Sequence, residues 1–436
     1  MRRIAVWAEH FEGFVHVGFL QLDTDGAESF SYTEDYLGRA DATPIYPSLP
    51  LSEKPFDTSA TRAAFFSLGP EGRVGHEIRN ILRADRDSVE PILERLNHET
   101  IGALTFTDEN ERLSETEYAV GSVVDAQFLE VFAADPDRIA LSTMLENHLS
   151  LNGAVAKIGV VQQGDTWYLP QGLTPTTHIF KVGSHRYPHQ MLNEALCMRS
   201  ACLCGFDDAA ETSLISVDQH EPILVSKRFD RIETEGRPYG LSPIMRLQQA
   251  DFCQIMGISV DMLKYVPADD LIEPYITSMA SAVLKESNER FGDRMYLFDC
   301  LVFDYLIGNC DNHLKNFSMT WSKDWTTKTV SPIYDVTCTT IYHEFSRNMG
   351  LGIGEHRSLD AIDSNDFSLL AQQLDVGRAQ AKQSVAELAE RLAPALTEAA
   401  HSLQAEYGKD IEELAEQIIQ DSLPRRELAL KTSLRL

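Results

Sequence analysis

The chain has 436 residues, 43% of them hydrophobic and 24% charged, with a formal net charge of −28. That composition describes a folded globular protein with enough core for two or three domains, and excludes a disordered chain. The acidic balance argues against bulk, sequence-independent nucleic-acid binding, and it means that an anionic ligand needs dedicated lysines, backbone N–H groups or metal ions.

The start, "MRRIAVWAEHFEG", carries a basic pair but too short an apolar run for a signal-peptide core. "RIAVWAE" and "FVHVGFLQLD" read as strands, "DSVEPILERLN" as a helix capped by Asp87 or Ser88, and "IGALTFTDE" as a strand. Residues 1–110 thus form a small α+β unit, closed by the polar stretch "DENERLSETEY". Residues 145–245 are strand-rich. "AKIGVVQQGDTWYLP" is a hairpin around Gly164-Asp165, "THIFKVG" a third strand, and "QMLNEALCMRSACLCGF" a helix closed by Gly205. "TSLISVD" and "PILVSKRFDR" add further strands. Residues 246–436 are mainly helical. "RLQQADFCQIMG" reads as a helix stopped by Gly257, and "DRMYLFDCLVFDYLI" as a central buried helix ending at Gly308. "FSMTWSKDWTTKTVSPIYDV" reads as a hairpin, and the last sixty or so residues as helices interrupted around Pro394 and Pro424. No run approaches the length of a membrane helix. The seven cysteines are odd in number, irregularly spaced and without a CxxC pair, which fits buried thiols in a reducing cytosol better than disulfides or zinc.

The chemistry concentrates in "GNCDNHLKNFS". Phosphoryl transfer from ATP needs metal ions on the triphosphate, a lysine on the phosphates and an acid that orients the acceptor hydroxyl. Protein kinases space the acid and a metal-binding Asn as D-x-x-x-x-N, with a second metal-binding Asp after a short hairpin. Asp311 and Asn316 have that spacing, and "SPIYDV" puts Asp335 at the end of the expected hairpin. The oxygens of Asn316 and Asp335 suit Mg²⁺, leaving Asp311 for the substrate hydroxyl. Upstream, Lys181 lies on the third strand of the small sheet, Glu194 on the following helix is placed to hold it, and the linker "LVSKRFD", with Lys227 and Phe229, offers backbone groups to adenine.

Taken together, "THIFKVG", "KRFDR", "ADFCQIMG", "DNHLKNFS" and "IYDV" resemble the HipA family of serine/threonine kinase toxins of bacterial toxin–antitoxin systems, and "PIYPSLPL", "IGALTF" and "GLTPTTHIFK" extend the likeness over almost the whole chain. The resemblance implies an α+β, two-lobed protein-kinase-like fold that uses ATP and Mg²⁺. It implies Asp311 as catalytic residue, Asn316 and Asp335 as metal ligands and Lys181 on the nucleotide phosphates. It marks "SLNGAVAK", with Gly153, Ala154 and Lys157, as the phosphate loop, and Ser150 as a site of silencing autophosphorylation. It implies a translation component as target, notably glutamyl-tRNA synthetase or another aminoacyl-tRNA synthetase. It also implies a HipB-like helix-turn-helix antitoxin through which the complex reaches operator DNA. The chain departs from the family pattern at Val155 and Ala156, where Gln and Glu are frequent, at Asn312, where Gly is common, and at Lys227, where an acid is common.

Other readings of the same residues stand beside these. His313 is a loop organiser or a metal ligand; Lys315 touches the γ-phosphate, neutralises Asp311 or is a solvated loop lysine. Cys310 is a packing residue, or a redox switch if exposed. A P-loop at Lys157 fails, because no Gly precedes it and Ile158 follows where Ser or Thr should bind Mg²⁺. The alternatives to a toxin kinase are a small-molecule phosphotransferase of the aminoglycoside-kinase kind and a catalytically weak, antitoxin-binding kinase-like module. The expected location is cytoplasmic, with no membrane contact.

Overall fold

In the computed structural model, which describes residues 2–113, 119–151, 153, 155–184, 186–238, 240–258 and 273–433, the two opening apolar runs form a hairpin. Strand β1 (Arg2–His10) pairs antiparallel with β2 (Gly13–Leu22), flanked by β3 (Glu28–Tyr32) and β4 (Leu104–Asp108) in the order β3-β2-β1-β4. Val6, Phe30, Phe65 and Phe106 are fully buried against this sheet's core. The chain divides into two units: Met1–Ser184, Val217–Met262 and Met319–Lys328 form the first, and His185–Ser216, Leu263–Ser318 and Thr329–Leu436 the second.

The first unit contains a second sheet. Strands β5 (Ala119–Val123), β6 (Ala156–Gln163), β7 (Thr166–Gln171) and β8 (His178–Val182) join the linker strand Ile223–Lys227 in the order β5-β7-β6-β8-linker. The β6–β7 hairpin turns at Gly164, with φ 57°, where the sequence places it.

Two local readings are corrected here. The helix expected from Asp87 or Ser88 runs only over Glu90–Arg95 and has no side-chain cap from either residue. Its cap is tertiary: the buried Glu28 carboxylate accepts from the Val89 and Glu90 N–H groups, both at 2.8 Å, and so satisfies two orphan donors of the helix start. The segment read as one helix over "RLQQADFCQIMG" is instead the strands Ile244–Arg246 and Gln249–Asp251 followed by the helix Phe252–Met256. Arg246 and Gln248 spend their side chains on Glu9, Glu99, Ala103 and Ile45, and the helix begins only after Asp251, which forms a capping box with Gln254.

The second unit is mainly helical. The Gln190–Cys204 helix ends on Gly205, with φ 113°. The Arg290–Ile307 helix is buried almost continuously from Leu297, and Gly308 closes it at φ 82°. A Cβ at Gly308 would lie 2.3 Å from the Thr340 hydroxyl, so the stop requires glycine on two grounds. The last helical stretch, Arg378–Ser433, is not interrupted at Pro394 or Pro424. Its break is Gly408, at φ 59° and ψ −136°. A proline inside a helix removes one donor, whereas glycine can leave the helical basin at little cost, and the kink falls there. No helix among the described residues is long and apolar enough to cross a membrane.

Candidate functional site

The second unit holds the acids and amides. Just past Gly308, Asn309 turns back on the helix: its side-chain nitrogen donates to Asp304 Oδ1 at 2.8 Å, and its oxygen accepts from the Asp311 N–H at 3.1 Å. The loop then closes on itself. His313 N–H donates to Asp311 O at 2.9 Å, Asn316 N–H donates to His313 O at 2.8 Å, and Asn316 Nδ2 donates to Asp311 O at 2.9 Å. With its nitrogen committed to that carbonyl, Asn316 presents its amide oxygen as the remaining group, and an amide oxygen is a hard ligand for a divalent cation. Lys315 lies on the short 3₁₀ turn Leu314–Asn316, only 5% exposed, so the solvated-lysine reading fails. Its carbonyl accepts from the Tyr334 hydroxyl at 2.7 Å, which fastens the loop to the residue before Asp335. Asp335 itself has φ 60°. A non-glycine residue in the left-handed region is sparsely populated and persists only where its surroundings fix it.

Asn312, the departure from the family pattern beside Asp311, is fully buried. Its side-chain oxygen and its carbonyl both accept from the Leu351 N–H, at 3.2 and 3.0 Å. A Cβ at Gly350 would lie 2.9 Å from the Asn312 carbonyl oxygen, so the strand Asn348–Ile353 approaches the loop at backbone contact. Asn312 therefore anchors the loop from behind. Beneath it, burial pushes the Asp304 carboxyl up to about 7, opposed by the hydrogen bond from Asn309 and, more remotely, by the polar Asn312 amide. No bond of ordinary geometry joins that Asn312 nitrogen to the acid. Cys310 is buried, and burial raises its thiol to about 11, which leaves packing as its role and removes the redox switch.

The first unit holds the lysines. Lys157 on β6 and Lys181 on β8 are directly opposite in the antiparallel register, so both side chains rise from one face of the sheet. Both are nearly buried, at 7% and 6% exposure. Like charges facing each other across a ladder destabilise it, so each ammonium depends on acceptor or anionic groups around it. Gly153 has φ 99°, and a Cβ there would lie 2.4 Å from Lys157 Nζ. The glycine lets that amine fold over the loop. Ala154 lies outside the described residues. Lys227 is exposed and Phe229 half-buried, on either side of Arg228, whose N–H donates to Thr177 O at 2.9 Å.

Ser150 is fully buried; its N–H donates to Glu99 O at 2.7 Å and its hydroxyl to Leu68 O. Glu99 is the centre of a buried ion network that the sequence reading missed. Its carboxylate takes Arg228 at 3.0 Å, Arg231 at 2.8 Å and Arg246 at 2.7 Å, and also accepts from the Thr176 N–H and hydroxyl. Burial opposes its charge, but Arg231, Arg246 and Arg228 hold it well below the usual carboxylate range. The available signal was the run of arginines Arg228, Arg231, Arg237 and Arg246 on and around short strands.

Lys181, Lys157 and Gly153 thus belong to the first unit, and Glu194, Asp311, His313, Lys315, Asn316 and Asp335 to the second. Glu194 is buried on the Gln190–Cys204 helix. Among the described residues no group of three or more His, Cys, Asp or Glu side chains is arranged to hold a metal ion. A site built from one Asp and one Asn, completed by phosphate oxygens, is consistent with that, because Mg²⁺ characteristically takes few protein ligands.

Residues 149–398 match the HipA-like C-terminal domain and residues 6–107 the HipA N-terminal domain. The chain belongs to the HipA family. A Sinorhizobium fredii relative named "Putative kinase Y4mE" is 28% identical over 406 residues, 91% of each chain. A second from that organism, "Putative kinase Y4dM", is 26% identical over 398 residues, 84% of this chain and 85% of its own. Among solved structures, the "Shewanella oneidensis MR-1 Toxin Antitoxin System HipA, HipB and its operator DNA complex" superimposes with a TM-score of 0.75 at 19% identity, covering 98% of this chain and 97% of that one. This likeness establishes a HipA-like fold over essentially the full length.

Proposed function

We propose that this HipA-family protein is an ATP- and Mg²⁺-dependent serine/threonine protein kinase that acts as the toxin of a toxin–antitoxin pair. The observation that carries the reading is the closed Asp311–Asn316 loop, in which the Asn316 amide nitrogen is bound to the Asp311 carbonyl and its oxygen is left for a cation. The relatives named as kinases and the HipA-like fold support it. We assign the N-terminal subdomain to residues 1–110, the nucleotide-binding region to 145–245 and the catalytic region to 246–436.

In this mechanism Asn316 and Asp335 would hold Mg²⁺, which would supply charge neutralisation of the triphosphate. Lys157 and Lys181 bind phosphate oxygens. Asp311 orients the acceptor hydroxyl and takes its proton as the new P–O bond forms, while the nucleoside diphosphate leaves. Lys315 and His313 shape the loop, and the Lys227–Phe229 linker receives the adenine. Autophosphorylation at Ser150 requires the segment to leave its bonds to Leu68 and Glu99 first. The acceptor is a translation component of the aminoacyl-tRNA synthetase kind, and the antitoxin is a helix-turn-helix protein of the HipB kind that brings the complex to DNA. The test is phosphoproteomics after expressing the wild type and Asp311→Asn. Loss of protein phosphorylation and of growth inhibition, with the melting temperature unchanged, is expected; retained phosphotransfer, or labelled phosphate only on small acceptors, overturns the assignment.

A further inference from the structure

The chain just after Asp335 is tied down on two sides, all within the second unit. On one side stands Asn193, immediately before Glu194 on the Gln190–Cys204 helix and fully buried. Its Nδ2 donates to Cys338 O at 2.9 Å, and its Oδ1 accepts from Cys338 N–H at 3.0 Å. One side-chain amide thereby satisfies both backbone groups of a single residue, as a neighbouring strand would. Cys197, one turn along the helix, donates its thiol to the same oxygen at 3.2 Å, which fixes the direction of the amide. The Tyr342 hydroxyl accepts from Asn193 Nδ2 at 3.3 Å and donates to Pro188 O at 3.1 Å. On the other side stands Thr339. Its N–H donates to Gly308 O at 3.0 Å, its hydroxyl donates to the same carbonyl at 3.1 Å, and that hydroxyl accepts from Cys310 N–H at 2.9 Å.

Cys338 and Thr339 therefore form a crossbar. One end grips the helix that carries Glu194, the other grips the entrance to the loop that carries Asp311, and Asp335 lies just upstream in its left-handed conformation. We infer that Asn193 is a positioning residue. By locking this crossbar it sets the placement of Asp335 relative to the Asp311–Asn316 loop and to Glu194, and so controls divalent-cation binding without touching the cation or the nucleotide. The chemistry favours this over packing alone. Leu196 and Cys197, which share its helix face, are fully buried, as is Asn193 itself, and an amide persists there only because both its ends are bonded. A strained backbone at Asp335 needs neighbours that over-determine it, and the Asn193–Cys338 pair is one such restraint on its C-terminal side.

The inference rests on the kinase reading above, and its test separates the two. The full chain is compared as wild type, Asn193→Leu, which keeps volume and removes both bonds, and Thr339→Val, which releases the crossbar from the opposite end. Titrations use a non-hydrolysable ATP analogue with and without Mg²⁺, and hydrogen–deuterium exchange follows residues 335–342. Both variants should lose roughly tenfold to a hundredfold in Mg²⁺-dependent affinity, the range for residues that orient metal ligands, with metal-free affinity unchanged and exchange faster over 335–342. Unchanged Mg²⁺-dependent affinity in both variants, or equal losses with and without Mg²⁺, overturns the inference. If the wild type shows no Mg²⁺-dependent nucleotide binding, the kinase reading fails. The exchange measurement then decides Asn193 alone: unchanged protection in Asn193→Leu overturns its role. Should Asn193→Leu fail to fold, Thr339→Val carries the same criteria.

Discussion

In the first unit Glu99 stays ionised because three guanidiniums surround it. In the second, Asp304 is just as deeply buried but has the neutral Asn309 amide for a partner, and its carboxyl rises to about 7. The same residue chemistry thus ends in opposite charge states, decided by what the fold brings within 3 Å. The difference teaches where each unit is vulnerable. A network that keeps its charge fails when one member is removed; an isolated acid that gives up its charge fails when the solvent withdraws its proton.

The largest effect is expected from Glu99→Gln. Removing the central carboxylate leaves Arg228, Arg231 and Arg246 buried around a neutral amide, a loss of about 3–5 kcal/mol. In thermal unfolding this should appear as a drop of roughly 10 °C or more, with the transition of the first unit separating from that of the second. A shift of less than a few degrees would show that the network is not the joint it resembles.

The second test concerns pH. Asp304 titrates near 3.8 in an unfolded chain and near 7 in the folded one. Its contribution to stability is therefore complete below about pH 4 and is lost as pH rises through 7. Asp304→Asn cannot titrate, so it should flatten the decline between pH 4 and pH 8 by on the order of 2–4 kcal/mol. Chemical denaturation across that range checks it. A parallel decline in the two proteins would place the titration elsewhere, with Asp299, raised to about 6 by burial, as the next carboxyl to mutate.

The smallest effect sharpens the contrast from the other side. His98 in the first unit stacks on His148 at 4.5 Å. Burial, then His148, Arg246 and Arg95, lower its pKa to about 4. A depressed base stabilises above about pH 6.5, and that stability is lost as pH falls through 4. His98→Asn should remove on the order of 1–2 kcal/mol of this acid sensitivity, discounted for partial exposure. The two units then have opposite pH slopes over the same interval, and loss of that opposition in either variant would break the comparison.

Much of the organisation was legible in the chain itself. Runs of β-branched and aromatic residues set the strands, the all-round apolar run from Met295 to Ile307 set the buried helix, and Gly205, Gly257 and Gly308 ended helices in left-handed conformations. The D-x-x-x-x-N spacing marked a stretch that the structure closes on itself from Asp311 to Asn316, because residues so near in sequence carry local information. The failures share one cause. Glu28 caps a helix far away in sequence, Arg246 sits in a strand because Glu9 and Glu99 await it, and Pro394 remains inside a helix that breaks at Gly408. Asn193 looks like any helical amide until Cys338 is placed beside it. Local propensity and motif spacing are written in neighbouring residues. The charge state of a buried acid, the partner of a buried amide and the cap of a helix depend on groups that only chain folding brings together. These were decided by the tertiary structure, because desolvation makes a buried polar group costly unless the fold brings it a partner.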